Sequence, residues 1–141
     1  MENKLNINVR SFSYKREIPQ DLSGNGGGFV FDCRGILNPG RFTEFKTKTG
    51  RDAEVIEFLE TKTKIHDFLD GVKKVVSISI EDYLERGFAN LEINFGCTGG
   101  QHRSVYSADQ TAKFIQENYP TANVQVQHVI QEEKNWINEM Y

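Results

Sequence analysis

Leu91-Glu92-Ile93-Asn94-Phe95-Gly96-Cys97-Thr98-Gly99-Gly100-Gln101-His102-Arg103-Ser104-Val105 reads as a buried strand, a glycine-punctuated loop and the first turn of a helix. Leu91, Ile93 and Phe95 alternate as a strand with one packed face does. Gly96, Gly99 and Gly100 relax the backbone and let a ligand approach the main chain. From Gln101 the period lengthens, and Val105, Ala108, Ala112 and Ile115 fall on one helical face. A helix start carries unpaired N–H groups and partial positive charge, so it attracts anions. Thr98, Gln101, His102, Arg103 and Ser104 add side-chain donors around it. The stretch predicts a cradle for a phosphate or carboxylate.

Working outward, Leu5, Ile7 and Val9 alternate with polar residues as a first strand that runs through Tyr14, with Pro19 beyond it. Ser23 to Gly28 is a glycine run without the Gly-Lys-Ser/Thr of a nucleotide loop, and reads as a connector. Phe29 to Arg34 is a second strand, apolar enough to be central. It brings Asp32 and Arg34 to its C-terminal end, where open α/β sheets gather ligands. Asn38-Pro39-Gly40 makes a turn, and residues 41–51 form a polar, solvated loop. Asp52 is placed to cap a short helix, and a longer one runs from Lys64 to Arg86. Asn118-Tyr119-Pro120 closes the helix after the cradle, and Val124, Val126 and His128 form a last strand. The order β-β-α-α-β-α-β predicts a single α/β domain over residues 1–141. Its architecture would be a layered sandwich around a mixed, largely parallel sheet, with 131–141 a polar tail that is either a terminal helix or loosely ordered.

The chain has 141 residues, a net charge of −3 and ten phenylalanines, which supports a globular core. An acidic balance removes the general pull toward nucleic-acid phosphates. Cys33 and Cys97 form no metal or disulfide motif and read as free thiols of a reducing cytosol. No signal-peptide core or membrane-length apolar run occurs, so a cytoplasmic protein with no membrane partner is expected. No metal or cofactor site is expected.

Three readings of the loop compete. One is an anion nest in which backbone N–H groups hold the ligand and the Arg103 guanidinium grips two of its oxygens. The second is a cysteine-dependent phosphatase, because Cys97 and Arg103 stand in a C-x5-R-S spacing that would pair a thiolate with an arginine clamp. That reading lacks a clear general acid, with Asp32 and Asp52 the only candidates. The third treats the glycines as a sharp turn and nothing more, which leaves the polar run unexplained. His102 is read as an anion donor. Arg103→Ala is expected to abolish anion binding and leave the fold intact.

Gly96-Cys97-Thr98-Gly99-Gly100-Gln101-His102-Arg103-Ser104-Val105 resembles the signature of the C-terminal domain of the RapZ, or YvcJ-type, family. Ser11-Phe12-Ser13-Tyr14-Lys15 resembles the family's Ser-Phe-Gly-Phe-Lys strand. Phe31 to Pro39 resembles its Phe-Asp-Val-Arg-Phe-Leu-Pro-Asn-Pro, and Thr49-Gly50-Arg51-Asp52 its Thr-Gly-x-Asp. His128 falls at its Arg-His-Arg. The resemblance implies a regulatory domain that binds glucosamine-6-phosphate, oligomerises, and in enterobacteria presents small RNAs to RNase E. Full-length members carry a separate Walker-type nucleotide-binding domain. By position the ligand site would comprise Cys97, Thr98, Gly99, Gly100, Gln101, His102, Arg103 and Ser104, with Asp32, Arg34 and Asn38 nearby.

This sequence departs from the family in having no Walker A motif, and Gly40 where some members have histidine. Gln127 and Val129 flank His128 in place of arginines, and the tail lacks a basic cluster, which speaks against the RNA-adapter role. The sequence therefore favours a domain that binds a phosphorylated small molecule over an enzyme, with the cysteine-dependent phosphatase and the RNA-binding adapter as the alternative readings. A homo-oligomer or a separate nucleotide-binding chain are further partners the resemblance implies.

Overall fold

The computed structural model of the protein describes residues 4–135. Four strands, β1 (Asn6–Ser13), β2 (Phe29–Asp32), β3 (Asn90–Cys97) and β4 (Asn123–His128), form one sheet in the order β2-β3-β1-β4. The expected largely parallel sheet is parallel at every pairing, with no antiparallel strand among the described residues. β2 is an edge strand, contrary to its apolar reading. It spans only four residues, pairs with β3 alone, and leaves Val30 exposed.

Four α-helices accompany the sheet: α1 (Ala53–Lys62), α2 (Ile65–Arg86), α3 (Arg103–Asn118) and α4 (Val129–Glu133). Asp52 sits at the N-cap of α1 as expected, but its carboxylate accepts the Thr49 N–H at 2.7 Å rather than one from α1. α2 stays continuous through the β-branched run at Val75–Ile80, because Val76 and Ile80 are buried while Val75 and Ile78 face outward. The amphipathic stripe outweighs intrinsic propensity there. The predicted tail begins inside α4, which covers its residues 131–133, and its residues 136–141 lie outside the described part.

One face of the sheet is apolar. Ile7 and Val9 of β1 and Leu91, Ile93 and Phe95 of β3 pack on Val72, Val76 and Ile80 of α2 and on Ala108, Ala112 and Ile115 of α3. Each fully buried aliphatic or aromatic side chain contributes about 1.5–3 kcal/mol of transfer free energy. A second cluster joins Val55 and Leu59 of α1 to Ile65, Leu69 and Tyr106. The opposite face is polar over most of β1, β3 and β4: Asn6, Asn8 and Arg10 stand in register with Asn90, Glu92 and Asn94 and with Asn123, Gln125 and Gln127, before Phe12 covers Gly96 at the C-terminal end. The Arg10–Glu92 ion pair lies at its centre, with Asn8 and Asn90 also donating to Glu92. The glycine-rich connector passes over this face, where Asp21 meets Asn90.

Because all strands are parallel, Ser13, Asp32, Cys97 and His128 end at one rim. The chain leaves β1 toward β2, past β3, and leaves β3 toward β4, past β1. Opposite departures at two neighbouring strands open a crevice at their carboxyl ends, where ligands of such sheets bind.

Candidate anion site at the start of α3

The residues linking β3 to α3 occupy that rim. Thr98 and Gly99 are exposed, and Gly100 turns back into the fold. Gly100 has φ of +66°, and a Cβ there would lie 2.6 Å from Ile130 Cγ1 and 3.0 Å from the Phe12 and Ser13 backbone, so only glycine fits. Gly96, expected to loosen the loop, instead lies inside β3 under the rings of Phe12 and Tyr14. Ser13 Oγ donates to the Thr98 carbonyl at 2.5 Å, tying the loop to β1.

The backbone amides of Gly99 through Ser104 donate to no acceptor among the described residues. They form the free N-terminal end of a sixteen-residue helix. Arg103, the first residue of α3, is 4 % exposed. Its Nη1 donates to the Ile36 carbonyl at 2.7 Å and to the Arg34 carbonyl at 3.2 Å, while its buried Nε has no partner. Among the described residues it forms no ion pair. The expectation that alanine at 103 would spare the fold needs correction, since this guanidinium also holds the turn after β2.

That turn is a 3-10 segment over Cys33–Gly35, capped by the Asp32 carboxylate on the Arg34 N–H at 2.9 Å. Asp32 and Arg34 pair with each other at 2.7 Å, and Arg34 stacks on Tyr14 with its guanidinium carbon 4.0 Å from the ring centroid. The hydrogen bond from Arg34 holds the Asp32 carboxyl below the usual carboxylate range, with the nearby Arg103 charge adding to it. Asp32 is therefore a salt-bridged carboxylate, a poor general acid. Asn38 caps the next turn through the Gly40 N–H at 2.9 Å. Cys97 is buried, with its thiol on Ser104 Oγ at 3.1 Å.

Gln101 and His102 face the loop at residues 45–50. Gln101 Nε2 donates to the carbonyls of Lys46 and Lys48 at 2.8 and 2.7 Å, and its own carbonyl accepts the Gly50 N–H at 2.9 Å. His102 Nε2 lies 2.8 Å from the Phe45 carbonyl. Burial keeps the imidazole pKa below its ordinary value, against the pull of the Phe45 and Lys48 carbonyls, so the ring is a neutral donor. It donates to the chain, where the sequence suggested an anion. Gly50 is required at the other side of this joint: a Cβ would lie 2.3 Å from the His102 carbonyl oxygen. The polar loop is thus an anchored wall of the site.

A second polar chain was not legible. Ser11 Oγ lies 2.6 Å from His128 Nδ1, His128 Nε2 lies 2.9 Å from Asp109, and Asp109 pairs with Arg51 at 2.9 Å. Burial alone would raise the Asp109 carboxyl, but hydrogen bonds from His128 and Arg51 outweigh it and hold it low. Despite its serine–histidine–aspartate content, this is a structural tie, because Ser11 is wholly buried. The residues are 19 to 117 positions apart, and only Ser11 and His128 carried a signal, through the resemblance.

Comparison with known proteins bears on most of the chain. The model of the RapZ C-terminal domain matches residues 5–132. A nucleotide-binding protein of Thermosipho melanesiensis is 38% identical over 118 residues, covering 84% of this chain and 41% of the relative. One of Cereibacter sphaeroides is 39% identical over 114 residues, 81% of this chain and 36% of its own. One of Dinoroseobacter shibae is 38% identical over 121 residues, with 85% and 39% covered. The chain spans about two fifths of the length of these relatives. No helix among the described residues is long and apolar enough to cross a membrane.

Proposed function

We propose, from the premise that this chain belongs to the RapZ C-terminal domain family, that its Gly96–Ser104 loop binds a small phosphorylated metabolite, an amino-sugar phosphate such as glucosamine-6-phosphate, in a regulatory role. The observation that carries this reading is Arg103. A buried guanidinium without a carboxylate is costly, and an anion that accepts from its unpartnered Nε relieves that cost. The free amides of Gly99–Ser104 lie beside it and favour the same charge. Arg103 would clamp the phosphate, the amides would cradle it, and Thr98 at the exposed tip would meet the sugar. Gln101 and His102 are positioning residues, which hold the 45–50 wall against the cradle.

Phosphatase chemistry has less support. Asp32 is salt-bridged, and Asp52 is engaged with the Thr49 amide. The test is phosphorus NMR of glucosamine-6-phosphate with the purified protein. Binding predicts a shifted or broadened sugar-phosphate signal, and no free phosphate over hours. Growth of free phosphate, lost in Cys97→Ser, would make the protein an enzyme. An unchanged signal would remove this ligand class and leave RNA or a protein carboxylate to be tried.

A further inference from the structure

Two buried thiols lie beneath the cradle, and ligand binding as described uses neither. Cys97 ends β3, and Cys33 directly follows β2. The two strands pair in register up to Asp32 opposite Gly96, so Cys33 and Cys97 are the next residues along neighbouring chains. Side chains alternate across a sheet, which puts both thiols on the helix-covered face with Phe31 and Phe95, whose rings stack 5.4 Å apart. Both cysteines belong to one buried cluster. Paired strands run about 4.8 Å apart, within the Cα separation of about 4.4–6.8 Å that a disulfide spans.

The helix above supplies a second constraint. Cys97 Sγ contacts Ser104 Oγ at 3.1 Å, and Cys33 Sγ contacts Ser107 Oγ at 3.8 Å. Serines three apart on α3 are surface neighbours, so the sulfurs beneath them are neighbours too. The segment holding Cys33 is a short 3-10 turn at the end of an edge strand, with Arg34 and Gly35 exposed. A turn of this kind adjusts more easily than a central strand.

We propose that Cys33 and Cys97 are a disulfide-forming pair that a peroxide oxidises, and that the bridge closes the anion cradle. Cys97 begins the loop, next to exposed Thr98 and Gly99, and is the first to react. Its thiolate attacks one peroxide oxygen, the O–O bond breaks, and water leaves a sulfenic acid on Cys97. Cys33 gives up its proton and attacks that sulfur, the S–O bond breaks, and a second water leaves as the S–S bond forms. Two thiols lose two protons and two electrons in all, and the peroxide is reduced to two waters. Burial pushes the Cys33 thiol up, which disfavours it for the first attack. Forming the bridge draws Cys97 from Ser104 and moves the turn whose carbonyls hold Arg103. The closing effect rests on the anion-site reading above, whereas the thiol pairing does not.

The test exposes purified protein to hydrogen peroxide and follows intact mass, non-reducing peptide maps and binding of inorganic phosphate by phosphorus NMR. The expected result is loss of two hydrogen masses, a cross-linked Cys33–Cys97 peptide, and phosphate binding weakened by about tenfold or more. Dithiothreitol should restore the starting state, and Cys33→Ala should give no cross-link. If the alanine variant does not fold, Cys33→Val fills the site and serves the same purpose. Both thiols remaining open to alkylation after denaturation, or Cys97 gaining oxygen without a cross-link, would overturn the pairing. A cross-linked protein that binds phosphate as before would overturn the closing effect. Reduced protein that never binds phosphate would instead sink the anion-site reading, with the cross-linked peptide still deciding the pairing.

Discussion

Arg103 divides its guanidinium between the fold and the site. Nη1 holds the Arg34 and Ile36 carbonyls, and the buried Nε, which has no partner, is the donor proposed for the phosphate. Arg103→Ala should therefore lower stability by about 1–3 kcal/mol in urea denaturation, the cost of unpairing buried polar groups, as well as abolish phosphate binding. Arg103→Lys keeps a charge but not a planar fork, and should weaken binding with a smaller loss of stability. His102 gives a pH signature. Its folded pKa lies below its ordinary value of about 6.5, so between the two the unfolded chain binds a proton that the folded chain does not. Stability should fall as pH drops through about 6.5 and below, and His102→Gln, which keeps an N–H donor, should flatten that slope in thermal melts. The paired carboxylates Asp32 and Asp109, also held low, lose their contribution only near pH 4 and below, which separates the two effects. From sequence, the residue types at 97–104 pointed to an anion. The second allegiance of Arg103, Gln101 and His102 did not show, because their acceptors are carbonyls 53 to 69 positions away.

At the scale of elements, the joint between the 45–50 loop and the start of α3 decides how rigid the cradle is. Gly50→Ala would place a methyl against the His102 carbonyl and 2.7 Å from the Tyr106 amide nitrogen, both of them backbone. A loss of about 1–3 kcal/mol is expected, with faster hydrogen exchange confined to the loop and the first turn of α3. Gln101→Ala removes two donors from the same joint and should loosen the loop with a smaller change in global stability. Strand and helix periods made β1, β3, α2, α3 and β4 legible to within a few residues. β2 misled because four apolar-rich residues read alike at the centre and at the edge of a sheet. The loop misled because lysines at 46 and 48 look solvated in sequence, while it is their carbonyls that bind Gln101.

At the scale of the molecule, the parallel sheet, with α2 and α3 on its apolar face, sets four strand ends along one rim, beside which the residues of the proposed site lie. The chain by itself is therefore predicted to bind the sugar phosphate. A ligand at about a hundred times its dissociation constant adds about 2.7 kcal/mol, which should raise the melting temperature by several degrees. The α/β class followed from the order of periods along the chain. The polar grid on the second face follows only from register, which no single strand reveals. The central claim, that the phosphate sits on the free amides and Nε of Arg103, is tested most directly by following amide and guanidinium resonances in nitrogen–proton NMR during titration with glucosamine-6-phosphate. The account predicts the largest shifts at Gly99–Ser104 and at the Arg103 Nε–H. Shifts centred on another surface, or a titration that leaves Arg103 Nε–H unmoved, would contradict it.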